Sequence, residues 1–269
     1  MSELYVDWGG TNFRYKVDEG EIVSKSSKDI RILDELESIF VKNNNIKKVG
    51  ISFAGQVKNN KILSAPNIDV NELDISSYFK NIEFKIQNDL KCALLAESNY
   101  FKSDSIAVLY VGTGIGSAYM DGGSLVSGFD NLAGEIGHIP YKQMELSCGC
   151  GKNNCLELTA SGSGLAKRAR AIGIEFVDFE SLLGNEASNH IALEFIEGVG
   201  YAASLIITLL NPKNLVLGGG IMQANTYLLY GVEKYVHNNA FGKSVDGCEI
   251  VLSKLADGSL DGAKAILRK

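Results

Sequence analysis

A chain of 269 residues, 45% apolar and 22% charged, suffices for one to two domains of about 150 residues each, and this balance excludes disordered, collagen-like and coiled-coil classes. With 26 Lys and Arg against 32 Asp and Glu, a formal charge of -6, and no more than two adjacent basic residues, it carries no footprint for nucleic acid or an anionic membrane. Glycine stands out at 29 residues against 3 prolines, the mark of many tight turns where backbone passes close to something.

The opening MSELYVDWGG lacks the basic and apolar regions of a secretory signal. The longest uncharged apolar run, 198–210, is shorter than the roughly 20 residues of a membrane span. A cytoplasmic enzyme is therefore expected. Five cysteines, with Cys148, Cys150 and Cys155 crowded together, point to a metal site in a reducing compartment rather than to a disulfide framework.

In chain order, a strand over 4–6 meets the turn Asp7-Trp8-Gly9-Gly10-Thr11-Asn12, and 13–17 alternates as a returning strand. Helical spacing runs over 30–42 and stops at Asn43-Asn44-Asn45. Strands follow over 49–53, leading into Gly55, over 61–63, and over 84–87, which delivers Asn88-Asp89 to a helix over 90–101. The strand 106–111 then runs into Gly112-Thr113-Gly114-Ile115-Gly116, and 117–120 returns. A strand, glycine turn and strand thus occurs twice, about a hundred residues apart, as in a duplicated architecture. Helices are expected over 165–172, 176–183, 188–210, 227–238 and 260–268, with strands over 214–217, before Gly218-Gly219-Gly220, and over 249–252. Strands alternating with helices make an α/β chain.

Three constellations carry chemistry. Glycine turns let backbone N–H groups converge on a phosphate, a Thr hydroxyl adds a donor, and Asp7 suits a hydrated Mg²⁺; a tight hairpin needs the same glycines. The second turn is followed by a strand instead of a helix, which disfavours a dinucleotide fold. His138 with Cys148, Cys150 and Cys155 forms a Cys₃His set, the closed shell of structural zinc, leaving no position for a reactive water. Asp89, at a strand-to-helix junction, can accept a proton from a substrate hydroxyl, although Asn88-Asp89 equally serves as a helix N-cap. Glu135 and Glu157 flank the metal loop, either as partners of vicinal sugar hydroxyls or as solvated surface acids.

These motifs, with Gly134-Glu135-Ile136-Gly137-His138 and Cys148-Gly149-Cys150-Gly151-Lys152-Asn153-Asn154-Cys155-Leu156-Glu157, resemble in order those of the ROK family (repressors, open reading frames and sugar kinases) from residue 7 to about 220. The resemblance implies the actin-like ATPase (ribonuclease H-like) fold, two α/β domains around a nucleotide and sugar cleft: residues 1–112, completed by a C-terminal helix over 256–269, and residues 113–255. It further implies an ATP-dependent sugar kinase, glucokinase-like, with Asp89 as catalytic base. Gly55, Asn67, Asn88, Asp89, Glu135, His138 and Glu157 would hold the sugar, and Asp7, Gly9, Gly10, Thr11, Asn12, Gly112, Thr113, Gly114 and Gly219 would hold ATP with Mg²⁺. His138, Cys148, Cys150 and Cys155 would bind zinc. A homodimer is implied, without nucleic-acid or membrane partners. Fructokinase, N-acetylmannosamine kinase, N-acetylglucosamine kinase and a sugar-sensing protein that has lost catalysis are the alternatives.

Three departures from the family pattern bear on these. The first motif begins at residue 7, which leaves no winged-helix segment ahead of it and argues against a repressor. Trp8 stands for an aliphatic residue. Gln56 after Gly55, and the stretch Ile68-Asp69-Val70-Asn71 without its aromatic, lie beside the expected sugar pocket and leave the sugar open.

Overall fold

The structure is a computed structural model and describes residues 1–268. It divides into two compact units, one of residues Met1–Lys102, Ser127–Ala133 and Leu255–Lys269, the other of Ser103–Val126 and Gly134–Lys254.

The first unit is built on β1 (Ser2–Trp8), β2 (Asn12–Val17), β3 (Val23–Ser26), α1 (Ile32–Lys42) and β4 (Ile46–Phe53), then β5 (Gln56–Lys58), β6 (Lys61–Ser64), β7 (Asn71–Leu73), β8 (Glu83–Asn88) and α2 (Asp89–Phe101). Its main sheet runs β3-β2-β1-β4-β8, antiparallel through the β1–β2 hairpin and parallel from β1 to β8. Helix α1 buries Ile32, Leu36 and Ile39, one face of a 3.6-residue period, and stops where Asn43 donates its backbone N–H and its side-chain amide to the Ile39 carbonyl. The core joins these residues to Leu4, Val6, Phe13, Val49, Ile51 and Phe53. Trp8 belongs to it, edge-on to Phe13 and Phe53 at ring separations of 6.5 and 5.1 Å, so the indole fills aromatic space that a smaller aliphatic side chain would not.

The second unit contains β9 (Ile106–Val111), β10 (Ile115–Asp121), β11 (Ser124–Leu125), α3 (Glu157–Ala160), α4 (Gly162–Ala171), α5 (Phe179–Leu183) and α6 (Asn189–Leu210). It continues through β12 (Asn214–Gly218), α7 (Gly220–Ala224), α8 (Leu228–Asn239), α9 (Gly242–Asp246) and β13 (Glu249–Leu252), after which α10 (Gly258–Ile266) returns to the first unit. The sheet order β11-β10-β9-β12-β13 repeats the first: an antiparallel meander, then two parallel strands. Strand β9, expected in the first domain, lies at the centre of this second sheet because its partners are β10 and β12.

Differences from the expected elements have local causes. Helix α5 starts at Phe179 instead of residue 176, where Asp178 accepts from the Ser181 N–H at 2.8 Å in a capping box. Helix α4 starts at Gly162, three residues early, with the Ser161 hydroxyl accepting from the Gly164 N–H. Strands β3, β5, β7 and β11, of two to four residues, are too short to show a period, and β3 is exposed throughout. Helix α6, at 22 residues, is long and apolar enough to cross a membrane by length and composition, more than its uncharged run suggested. Here it buries Phe195, Val199, Ala202, Ala203, Ile206 and Ile207 in the second unit's core.

Candidate active site

In the first unit the β1–β2 hairpin register sets Asp7 directly opposite Arg14. Arg14 donates from Nε to Asp7 Oδ2 at 3.0 Å and from Nη2 to the same oxygen, while Nη1 donates to Asp257 Oδ2 at 2.6 Å. The Asp7 carboxyl is almost wholly enclosed, and burial raises its pKa against the pull of Arg14. Burial also works against the Arg14 charge, but its two carboxylate partners outweigh it and push the guanidinium up.

The expected ATP residues Gly9, Gly10, Thr11 and Asn12 form the hairpin turn. It is closed by the Gly9 N–H on the Asn12 carbonyl at 3.0 Å, and held by Ser27, whose hydroxyl donates to the Gly9 carbonyl at 2.6 Å. Asn67 packs against this turn, since a Cβ on Gly10 would sit 2.9 Å from the Asn67 Cβ. Thus a residue expected at the sugar and one expected at ATP are neighbours.

At the end of β8, Asn88 caps α2, its Oδ1 accepting from the N–H groups of Leu90 at 3.1 Å and Lys91 at 3.4 Å. The N-cap alternative is therefore realised, and it does not displace the functional one. The amide of Asn88 turns the other way, donating to the Gly55 carbonyl at 3.3 Å and to Asp89 Oδ1 at 3.0 Å. Asp89 Oδ1 also accepts from the Leu90 N–H at 2.9 Å. Two donors on one oxygen set the carboxylate plane, while the residue stays partly exposed. Gly55, Asn88 and Asp89 form one contiguous group.

In the second unit the turn Gly112-Thr113-Gly114 joins β9 to β10 and is braced by α4, with the Gly162 and Ser163 N–H groups donating to the carbonyls of Gly112 (2.8 Å) and Thr113 (2.9 Å). Gly219 lies between β12 and α7 at φ +87°, and the Gly112 turn approaches the Gly220 N–H. Glu157 reaches the same turn, where a Cβ on Gly114 would meet Oε2 at 2.9 Å. Glu135 is exposed and opens the helical turn Ile136–His138.

Ligand atoms of His138, Cys148, Cys150 and Cys155 all lie within 4.8 Å of one another. Cys150 Sγ is 3.4 Å from Cys155 Sγ, and Cys148 Sγ is 3.7 Å from His138 Nδ1. A tetrahedron with Zn–S bonds of about 2.3 Å has edges of about 3.8 Å, so the donor set fits zinc in both chemistry and spacing. Cys148 Sγ also touches Glu157 Oε1 at 3.3 Å, linking the cysteine loop to an expected sugar residue. Burial pushes the Cys148 thiol up to about 12 and raises Cys155, whereas the Lys152 backbone N–H lowers Cys150.

Sequence reasoning missed Arg14, Asp257, Ser27, Gln87, Lys91 and Asn131. The hairpin register could have found Arg14, since counting outward from the glycine turn pairs it with Asp7. The others are brought in by contacts without a local sequence signal.

A family model described as the ROK family matches residues 5–269. The chain is 28% identical to a glucokinase of Halalkalibacterium halodurans over 195 residues, 64% of this chain and 59% of that protein. It is 30% identical to an N-acetylmannosamine kinase of Vibrio cholerae over 249 residues, 85% of this chain and 87% of that protein. The solved structure of a ROK family glucokinase from Streptomyces griseus in complex with glucose and AMPPNP matches over 100% of both chains at 22% identity and TM-score 0.78. That likeness, with the two repeated sheets, gives the actin-like ATPase fold. The chain belongs to the ROK family.

Proposed function

We propose that this protein transfers the γ-phosphoryl group of ATP to a hexose hydroxyl, glucose to glucose 6-phosphate, with Asp89 as general base. The observation that carries the reading is the Gly55–Asn88–Asp89 group: a carboxylate fixed by two donors at a strand-to-helix junction, still partly open to solvent. A base held in one plane removes the hydroxyl proton as the phosphorus–oxygen bond forms, and positioning of this kind supplies most of the catalysis in phosphoryl transfer. Asn67 beside the first turn and Glu157 beside the second, together with Glu135 and His138, would hold the sugar hydroxyls; the two glycine turns and Gly219 would hold the phosphates.

Arg14 holds the Asp7 carboxylate through Oδ2, and that carboxylate would hold a hydrated Mg²⁺. Mg²⁺, when bound, supplies charge neutralisation on the phosphates. The Cys₃His set would hold zinc, which supplies a cross-link for the loop behind Glu157 and His138. The named relatives, one a glucokinase and one an N-acetylmannosamine kinase, support a sugar acceptor and divide on which sugar.

The test is coupled ADP release with glucose, fructose, N-acetylglucosamine and N-acetylmannosamine, on the wild type and on Asp89→Asn. The amide keeps the hydrogen-bond acceptor but cannot take the proton, so turnover should fall by at least 10²-fold with the melting temperature unchanged. Near-wild-type turnover would remove Asp89 from the role, and glucose ranking behind another sugar would reassign the acceptor.

A further inference from the structure

A hydrogen-bond circuit encloses the candidate base from both sides, closed by a segment some forty residues further along the chain. Lys91, in the first turn of α2, is 2% exposed. Its ammonium donates to the main-chain carbonyl of Asn131 at 2.5 Å and to Asn131 Oδ1 at 2.6 Å. The Asn131 amide in turn donates to the Val57 carbonyl at 2.6 Å and to Gln87 Oε1 at 2.8 Å. Gln87 Oε1 also accepts from the Asn88 N–H at 2.8 Å. One side chain therefore holds Gln87, before the Asn88-Asp89 pair, and Lys91, after it.

Two features mark this as more than a loop anchor. Burying an ammonium is costly unless acceptors are supplied, and Asn131 supplies two. Asn131 also sits at φ +61°, the left-handed region that few non-glycine residues tolerate but that asparagine enters with comparatively little strain. The backbone is thereby turned so that carbonyl and side-chain oxygen face the same cation.

We propose that Asn131 is a positioning residue for the acceptor step: by gripping Lys91 and Gln87 together it sets where Asn88 and Asp89 present themselves, and the segment Ser127–Ala133 governs sugar turnover and not nucleotide affinity. This rests on Asp89 as the general base. Misplacing a reacting group by about 1 Å costs up to about 10²-fold in rate, and loosening one arm of this circuit moves the end of β8 against the start of α2.

Asn131→Gly is the direct test, because glycine keeps φ +61° without strain and keeps the carbonyl for Lys91, while losing the side-chain bonds. With D-glucose and N-acetyl-D-mannosamine as probes, kcat is expected to fall by about 10-fold or more, with the KM for ATP within about twofold and the melting temperature within a few degrees. Gln87→Leu cuts the same circuit from the other end and should show the same loss. The double variant should be no worse than either single, since both remove one coupling. Wild-type kcat in Asn131→Gly, or losses that simply multiply in the double variant, overturn the proposal. Should Asn131→Gly fail to fold, Gln87→Leu alone decides, and an unchanged kcat there is the overturning result. An active Asp89→Asn would sink the base assignment and this role with it, whereas an inactive Asp89→Asn beside a wild-type-like Asn131→Gly sinks the positioning role alone.

Discussion

At the scale of single residues, Arg14 offsets part of the cost of enclosing a carboxylate. Asp7 sits opposite it in the hairpin, and Asp257 approaches from the chain terminus. Arg14→Leu would leave two carboxylates facing each other around a lost cation. Breaking a buried pair costs about 3–5 kcal/mol; with Arg14 31% exposed, solvent screening reduces this to about 1–2 kcal/mol, a melting-temperature drop of several degrees. The sign of the pH dependence follows from Asp7. Its folded pKa is already raised by burial, so its stability contribution is full below the unfolded value and is lost as pH rises through the folded one. Without Arg14 the folded value climbs further. The gap in melting temperature between variant and wild type should therefore widen as pH rises above the ordinary carboxylate range and narrow as it falls back towards it, and a gap independent of pH would contradict this assignment.

At the scale of elements, legibility followed range along the chain. Helix α1 could be read because Ile32, Leu36 and Ile39 share one face, and β9 because five of its six residues are fully buried apolar ones. The motif residues Asn88 and Asp89 were legible as a cap and a carboxylate together, since a junction after a strand makes both uses compatible. What escaped was tertiary: Asp257 meets Arg14 from 243 residues away, and Asn131 meets Lys91 from 40. Neither pair leaves a period or a spacing to detect. The seating of α10 is of the same kind. It packs on α2 and across β1 and β4, and Gly50 in β4 makes room for it, because a Cβ there would lie 1.9 Å from the Ala263 carbonyl oxygen. Gly50→Ala must push the helix off the sheet and should cost about 3 kcal/mol. Gly242→Ala, where a Cβ meets nothing within 4 Å, should stay within about 0.5 kcal/mol. Denaturant midpoints compare the two, and equal midpoints would refute the close seating of α10.

At the scale of the whole molecule, one topology is used twice, an antiparallel meander followed by two parallel strands with a glycine turn after the first strand of each. Each unit has its own hydrophobic core, yet the Cys₃His set belongs to the second alone. A metal that cross-links His138 to a loop of exposed glycines and polar residues therefore acts on one unit. Structural zinc contributes on the order of 10 kcal/mol in small peptides, and even a fraction of that orders a loop whose Cys148 touches Glu157. Because the thiolates must be formed for metal to bind, and burial raises two of the three thiols, loading should release protons and weaken in acid. Metal analysis should find about one zinc per chain. Chelation, or Cys150→Ser, should then strip hydrogen-exchange protection from residues 134–160 and weaken sugar binding by about 10-fold, while α1 and α2 keep theirs. Restoring zinc should reverse the chelated state but not the variant. Loss of protection spread equally through the first unit, or a metal-free protein with the loop fully protected, would show that the cysteines order this segment without an ion.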